Sequence, residues 1–144
     1  MTIVFMKKVM VFGAFDILHS GHEYFFTQAK QYGEILIVVV GRDETIKKFK
    51  NRELCYSENE RFKQLKDVEI VDEVVIGSLG DKYQVIVDQK PDVLVFGYDQ
   101  QSFNIGIEEE LKKRGLGYIE IKKIEEAFEP DKYKSSIIYE QRRK

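Results

Sequence analysis

The chain has 144 residues, of which 43% are hydrophobic, and a formal net charge of −2. These values are typical of one compact domain and exclude broad, non-specific binding to nucleic acid. No apolar run approaches the roughly 20 residues that cross a bilayer, and Gly13 and Asp16 end the short run after Lys8, so we expect a cytoplasmic protein without a membrane or leader segment. The single cysteine, Cys55, excludes an intramolecular disulfide.

Short β-branched runs alternate with amphipathic segments, which is typical of parallel βαβ units. Strands are predicted at residues 9–12, 35–40, 74–76, 93–96 and 118–121. Helices are predicted from residue 20 to Gly33, after residue 57, at 82–89 and 108–114, and from Ser136 onward, whereas residues 42–52 are interpreted as a charged loop. The predicted class is α/β: a Rossmann-like, doubly wound, parallel five-stranded sheet in a single domain, residues 1–144.

Two segments have the Ser-x-x-Glu pattern of a capping box, in which a serine and a glutamate satisfy each other's backbone donors at a helix start. The first comprises Ser20 and Glu23, and the second Ser57 and Glu60. In the first helix, apolar residues recur at helical spacing and are predicted to form its buried face. They are Phe25, Phe26, Ala29 and Tyr32.

Both histidines of the chain, His19 and His22, follow the first predicted strand at the start of a helix. A helix N-terminus offers unpaired N–H groups and the positive end of the helix dipole, which together favour a phosphate. Gly21, between the histidines, lets the backbone approach an anion closely. If the strand order is 3-2-1-4-5, this segment lies opposite the turn after the fourth strand, where open α/β sheets bind ligands.

This segment resembles the cytidylyltransferase-type nucleotidyltransferase superfamily, whose hallmark is Gly-x-Phe-Asp followed by His-x-Gly-His. The matching residues are Gly13, Phe15, Asp16, His19, Gly21 and His22. The resemblance implies that the two histidines hold the triphosphate and stabilise charge at the α-phosphate, and that Gly13, Ala14, Phe15, Asp16 and Gly21 line the nucleotide site. Asp16 would lie near the reacting phosphates; the alternative is a turn residue that bonds to nearby backbone.

A basic cluster occupies residues 47–52. The resemblance implies that Lys48 and Lys50 are catalytic lysines that neutralise phosphoryl oxygens; a solvated surface is the alternative. The resemblance also implies that Arg61 contacts a phosphate. The alternative is a helix-surface arginine paired with Glu58 or Asp67.

The fourth strand is followed by Gly97-Tyr98-Asp99-Gln100, a form that resembles archaeal FAD synthases rather than the cytidylyltransferases of glycerol 3-phosphate. The resemblance places Gly97 and Asp99 at the nucleotide ribose or base, although Asp99 could also be a polar cap on the strand end. Ser135 and Ser136 resemble the family's closing Ser/Thr-rich motif and would bind a phosphate, or else cap the last helix. The arginine that often precedes this motif is absent, with Lys132 the nearest cation.

The resemblance therefore implies adenylyl transfer from ATP to FMN, with release of pyrophosphate, by a homodimer that uses a divalent metal, Mg²⁺, carried mostly by water and substrate. No protein metal ligand is assigned. Three alternatives stay open: cytidylyl transfer from CTP to glycerol 3-phosphate or another phosphorylated small molecule, adenylyl transfer to a sugar phosphate, and a non-catalytic nucleotide-binding module. Nucleic acid and membranes are not expected partners.

Overall fold

A computed structural model describes residues 6–50, 54–97 and 106–124, with the backbone alone described for residues 48–50. Its elements in chain order are β1 (Lys8–Gly13), α1 (Ser20–Lys30), β2 (Ile35–Val40), α2 (Asp43–Lys50), α3 (Glu58–Lys66), β3 (Glu73–Ile76), α4 (Gln84–Gln89), β4 (Val93–Phe96), α5 (Ile107–Lys113) and β5 (Glu120–Lys123). Among the described residues, no helix has the length and apolar character needed to span a membrane.

The five strands form one sheet in the order β3-β2-β1-β4-β5, and all of their pairings are parallel. The predicted fold class and strand order are confirmed. The order reverses between β1 and β4, where Val11 pairs with Val95. The chain segments that leave these two strands therefore start side by side at the carboxyl edge, which is where such sheets bind ligands. The extent of the domain, residues 1–144, stays a prediction.

The core lies on both faces of the sheet, because β1, β2 and β4 are apolar at almost every position and each side chain points opposite to the next. In β1, Val9 and Val11 pack on one face with Phe26 of α1 and Leu65 of α3. Met10 of the same strand packs on the other face, together with residues of α4 and α5. The histidine-bearing α1 is thus fixed to the sheet by its buried face.

The segment of residues 42–52, predicted as a loop, instead contains the helix α2. That prediction was wrong because α2 has a single buried apolar anchor among its described side chains, Ile46, too weak a pattern for helical periodicity. The helix begins with Asp43 and Glu44, whose charges suit the positive end of the helix dipole. Lys48 and Lys50 therefore lie on a helix, which changes the geometry expected of the basic cluster.

Helix α1 begins one residue earlier than the capping-box pattern predicts. Its N-cap is His19, whose side chain accepts a hydrogen bond from the N–H of Gly21, so the predicted Ser20 box is wrong. The second box is confirmed, with Ser57 and Glu60 bonded reciprocally. Tyr32 lies beyond the end of α1 and is 39% exposed, so it does not belong to the buried face. The helix predicted from Ser136 lies outside the described residues.

Candidate active site at the carboxyl end of the sheet

The Gly-x-Phe part of the motif forms a tightly packed corner. A Cβ atom on Gly13 would lie 2.6 Å from Cζ of Phe15, so any other residue at position 13 would collide with that ring. Phe15 has a left-handed backbone with φ of 50°, which is strained for a bulky residue. Its buried ring packs against Phe26 at 5.2 Å and edge-on against His22 at 5.4 Å between centroids. This corner therefore sets the position of His22.

Asp16 is buried, with 1% of its surface exposed, and its carboxylate joins two distant segments. One oxygen accepts the backbone N–H of Cys55 at 2.8 Å and the other that of Tyr56 at 2.9 Å. Asp16 thus bonds to backbone, as its alternative interpretation expects, but across the fold rather than within its own turn. Its expected position near the reacting phosphates stays a prediction.

Arg61 on α3 is completely buried, so the alternative of a surface arginine is wrong. Its guanidinium donates to the carbonyl of Ala14 at 2.8 Å, to Oδ1 of Asp43 at 2.7 Å and to the carbonyl of Tyr56 at 3.2 Å. Glu58, one of the pairing partners expected in that alternative, is instead bonded to Arg42 at 2.7 Å. The expected phosphate contact of Arg61 stays a prediction.

The two histidines lie together at the first turn of α1, with ring centroids 4.0 Å apart. Nδ1 of His19 accepts the N–H of Gly21 at 3.0 Å. The neutral ring therefore carries its hydrogen on Nε2, an atom that is buried in this structure. Burial lowers the pKa of His19 from its ordinary value. The neutral form, which preserves the cap, is thus favoured near pH 7.

Two cavities are lined by residues that contact this corner, His22 in one and Cys55 and Tyr56 in the other. One, of about 270 Å³, lies between the start of α1 and the end of α3, lined in part by His19, His22, Glu23 and Val68. The other, of about 370 Å³, lies over α2 and the segment that enters α3. Its lining comprises Asp43, Lys47, Leu54, Cys55, Tyr56 and Ser57. The buried side chains of Asp16 and Arg61 support the segments between these two cavities.

Four strands end at or immediately before a glycine, at Gly13, Gly41, Gly77 and Gly97. The N–H of Gly41 bonds to the carbonyl of Gly13 at 2.9 Å, and that of Gly77 to the carbonyl of Val40 at 2.8 Å. At this glycine rim, the missing side chains of Gly13 and Gly41 leave room for the ring of Phe15 and the side chain of Ile46, which pack against these strand ends. Gly41 and Gly77 were missed by sequence reasoning, although their recurrence after successive strands is a visible signal.

The structure thus brings together most of the residues that the sequence singles out around the β1–α1 segment. Those brought together are Gly13, Ala14, Phe15, Asp16, His19, Gly21, His22 and Arg61, with Gly97 at the neighbouring strand end. Asp99, Ser135, Ser136 and the side chains of Lys48 and Lys50 lie outside the described part of the chain. Asp43, which sequence reasoning missed, joins the cluster through Arg61.

A model of the cytidylyltransferase-like family matches residues 10–141. The chain belongs to this family. This chain is 39% identical over 134 residues to the FAD synthase of Pyrococcus horikoshii, and the match covers 92% of this chain and 90% of that one. It is 40% identical over 111 residues to the FAD synthase of Aciduliprofundum boonei, covering 77% and 74% of the two chains.

Among solved structures, the lipopolysaccharide core biosynthesis protein from Thermoplasma volcanium is similar, with a TM-score of 0.80 and 31% sequence identity. The match covers 86% of this chain and 99% of that one. In this cytidylyltransferase-like protein, the N-terminus of α1 and two imidazoles lie together after the end of β1. Such an arrangement is suited to binding phosphates and stabilising the charge that develops on them.

Proposed function

We propose that this cytidylyltransferase-like protein is an FAD synthase, which transfers adenylate from ATP to FMN and releases pyrophosphate. The observation that carries the proposal is the 39% identity to a relative of that name over 92% of this chain and 90% of the other. The geometry is consistent with it, because the first turn of α1 presents both histidines at the carboxyl edge, beside the strand crossover.

In the proposed reaction, a phosphate oxygen of FMN attacks the α-phosphorus of ATP. The new P–O bond forms as the bond between the α-phosphorus and the bridging oxygen breaks, and pyrophosphate leaves with that oxygen and its electron pair. No side chain becomes covalently attached. Catalysis then depends on position and charge stabilisation, which the start of α1, the Nε2 hydrogen of neutral His19 and His22 would supply, with Lys48 and Lys50 as additional cations.

A divalent ion such as Mg²⁺ belongs to the same proposal, carried on the nucleotide rather than in a protein cage. Among the described residues, no cluster of three or more His, Cys, Asp or Glu could hold a metal ion. Both oxygens of Asp16 already accept backbone hydrogen bonds. This donor set fits an ion that retains its water and phosphate ligands, as Mg²⁺ commonly does, and the ion would neutralise charge on the phosphates.

A sugar phosphate is a second candidate acceptor. One observation favours it: the solved relative at 31% identity is named for lipopolysaccharide core biosynthesis. The chemistry at the α-phosphorus would be unchanged, because only the molecule that carries the attacking phosphate differs.

The test is a matrix of ATP or CTP with FMN, glycerol 3-phosphate or a hexose 1-phosphate, with pyrophosphate release and product mass as readouts. We expect rapid release only with ATP and FMN, and FAD as the product. His19→Ala and His22→Ala serve as low-activity controls. Turnover of FMN at the background rate of those variants, or preference for another pair, would overturn the assignment. Sedimentation of the same sample tests the homodimer expected from the family.

A further inference from the structure

We infer that Arg61 is a positioning residue for nucleotidyl transfer: it holds the histidine-bearing start of α1 and the cation-bearing helix α2 at a fixed separation without touching substrate. This inference rests on the proposed function, and it assigns Arg61 a role other than the phosphate contact that the family resemblance implies.

The first support is burial combined with a hydrogen bond from every nitrogen of the guanidinium. Arg61 has no exposed surface, and each of its three nitrogens donates a hydrogen bond to protein. A buried cation is stable only if its charge and its donors are satisfied. The partners belong to three segments: Ala14 after β1, Asp43 at the start of α2 and Tyr56 before α3. One side chain thus joins three segments that meet at the site.

The second support is a short path from Arg61 to the histidines. Its Nη1 bonds to the carbonyl of Ala14, which precedes Phe15. Phe15 has a left-handed backbone, and its ring lies against His22. A strained residue persists only where its surroundings fix it. Loss of the bond to Ala14 would therefore release Phe15 and, through its ring, the position of His22.

The third support is a path from Arg61 to α2. Its Nη2 bonds to Asp43, the first residue of α2, and Lys47 on the same helix lines the larger cavity. The peptide groups around Tyr56 are held from two sides, since Arg61 binds its carbonyl and Asp16 binds its N–H. Arg61 and Asp16 thus fix the cavity lining relative to the β1–α1 segment.

Arg42 offers a matched control. It also ties segments at this edge, by bonds to Glu58 at 2.7 Å and to the carbonyl of Gly77 at 2.6 Å. Its side chain is 30% exposed, and these two bonds reach neither Ala14 nor Tyr56. Glu58 also accepts the N–H of Asp43 at 3.1 Å, so Arg42→Gln loosens an arginine clamp at the start of α2 while leaving the bonds of Arg61 to Ala14 and Tyr56 in place.

The experiment measures kcat and KM for ATP in wild type, Arg61→Gln and Arg42→Gln, at a temperature where circular dichroism shows all three folded. For Arg61→Gln we expect kcat to fall about 100-fold, the cost that a displacement of about 1 Å can have, with KM changed less than about threefold. For Arg42→Gln we expect both constants within about threefold of wild type. Amide exchange at Cys55 and Tyr56 should accelerate in Arg61→Gln only.

A kcat for Arg61→Gln within threefold of wild type would overturn the inference and leave Arg61 a structural residue. A large rise in the KM for ATP at unchanged kcat would overturn it in favour of a direct phosphate contact. If Arg61→Gln does not fold, Asp43→Asn replaces it, since it weakens one bond to a partly exposed partner. For Asp43→Asn we then expect kcat to fall about tenfold with the KM for ATP nearly unchanged, and an unchanged kcat would refute the positioning role.

The two proposals fail in different ways. If wild type does not turn over FMN, the FAD synthase assignment fails, and the kcat comparison is made with whichever nucleotide and acceptor the matrix identifies. If wild type makes FAD but the variants show no kcat loss, only the positioning role fails.

Discussion

The two halves of the β1–α1 segment differ in the burial of their side chains. In residues 13–16, Phe15 and Asp16 point inward and are almost completely buried. In residues 19–22, His19 and His22 are half-buried and line a cavity. The first half joins segments of the fold around the candidate site, and the second half contributes two imidazoles to a cavity. A motif read as one functional unit therefore combines a structural part with a chemical part, and substitutions in each should have separable effects.

The largest effect is expected from His22→Ala, which removes a chemical group from the second half. Removal of one donor that stabilises a transition state costs about 10²–10³ in kcat. We expect a loss of that size in pyrophosphate release, with the free energy of unfolding nearly unchanged. Thr27→Ala, on an exposed position of the same helix, is the control. A kcat for His22→Ala within threefold of wild type would contradict a catalytic role for residues 19–22.

Asp16→Ala tests the first half. It removes the carboxylate that accepts the partly buried hydrogen bonds of the Cys55 and Tyr56 N–H groups. Hydrogen bonds to a charged group contribute about 1.5–3 kcal/mol each, so we expect urea unfolding to show destabilisation of about 3 kcal/mol. Asp92→Ala is the comparison, because its carboxylate accepts one backbone N–H, from Lys8, at the opposite edge of the sheet. Equal losses in the two variants would contradict the special role of Asp16.

Gly13→Ala tests the packing of the corner. The added methyl would lie 2.6 Å from the Phe15 ring, and overpacking of this kind costs about 1–3 kcal/mol. Adding Phe15→Leu should recover part of that loss, which a double-mutant cycle measures as coupling. Gly117→Ala is the control, since its methyl would meet the flexible side chain of Lys112 at 3.2 Å. If the stability losses of Gly13→Ala and Phe15→Leu simply add, the Phe15 ring is not what excludes a side chain at position 13.

The smallest effect concerns pH and His19. Burial lowers its pKa in the folded state, so between the folded and unfolded pKa values the unfolded chain binds more protons. Stability is thus full above the ordinary histidine pKa of about 6.5 and declines as pH falls from there toward the folded value. Asn is a good N-cap without a titrating ring. Unfolding of His19→Asn followed from pH 8 to 5 should lack this decline; an unchanged slope would mean that another group causes it.

The sheet was predictable because its signal is local. The apolar runs of β1, β2 and β4 identify central parallel strands, and the segment after β1 identifies the site. The contacts that build the site were not predictable in the same way. Asp16 bonds to residues 39 and 40 positions away, and Arg61 to one 47 positions away; no local pattern encodes such pairings. The cap at His19 was missed because Ser20 also fits the sequence rule, and only the geometry distinguishes them.

The glycine rim has a consequence for anyone who wishes to redirect this scaffold to a new acceptor. Because Gly13 and Gly41 leave room for the side chains of Phe15 and Ile46, the strand ends themselves offer no side chain to an acceptor, and its selection would depend on residues of the helices and loops. A substitution library aimed at Lys47 and Leu54, which line the larger cavity, would reshape that cavity while leaving the glycine rim intact.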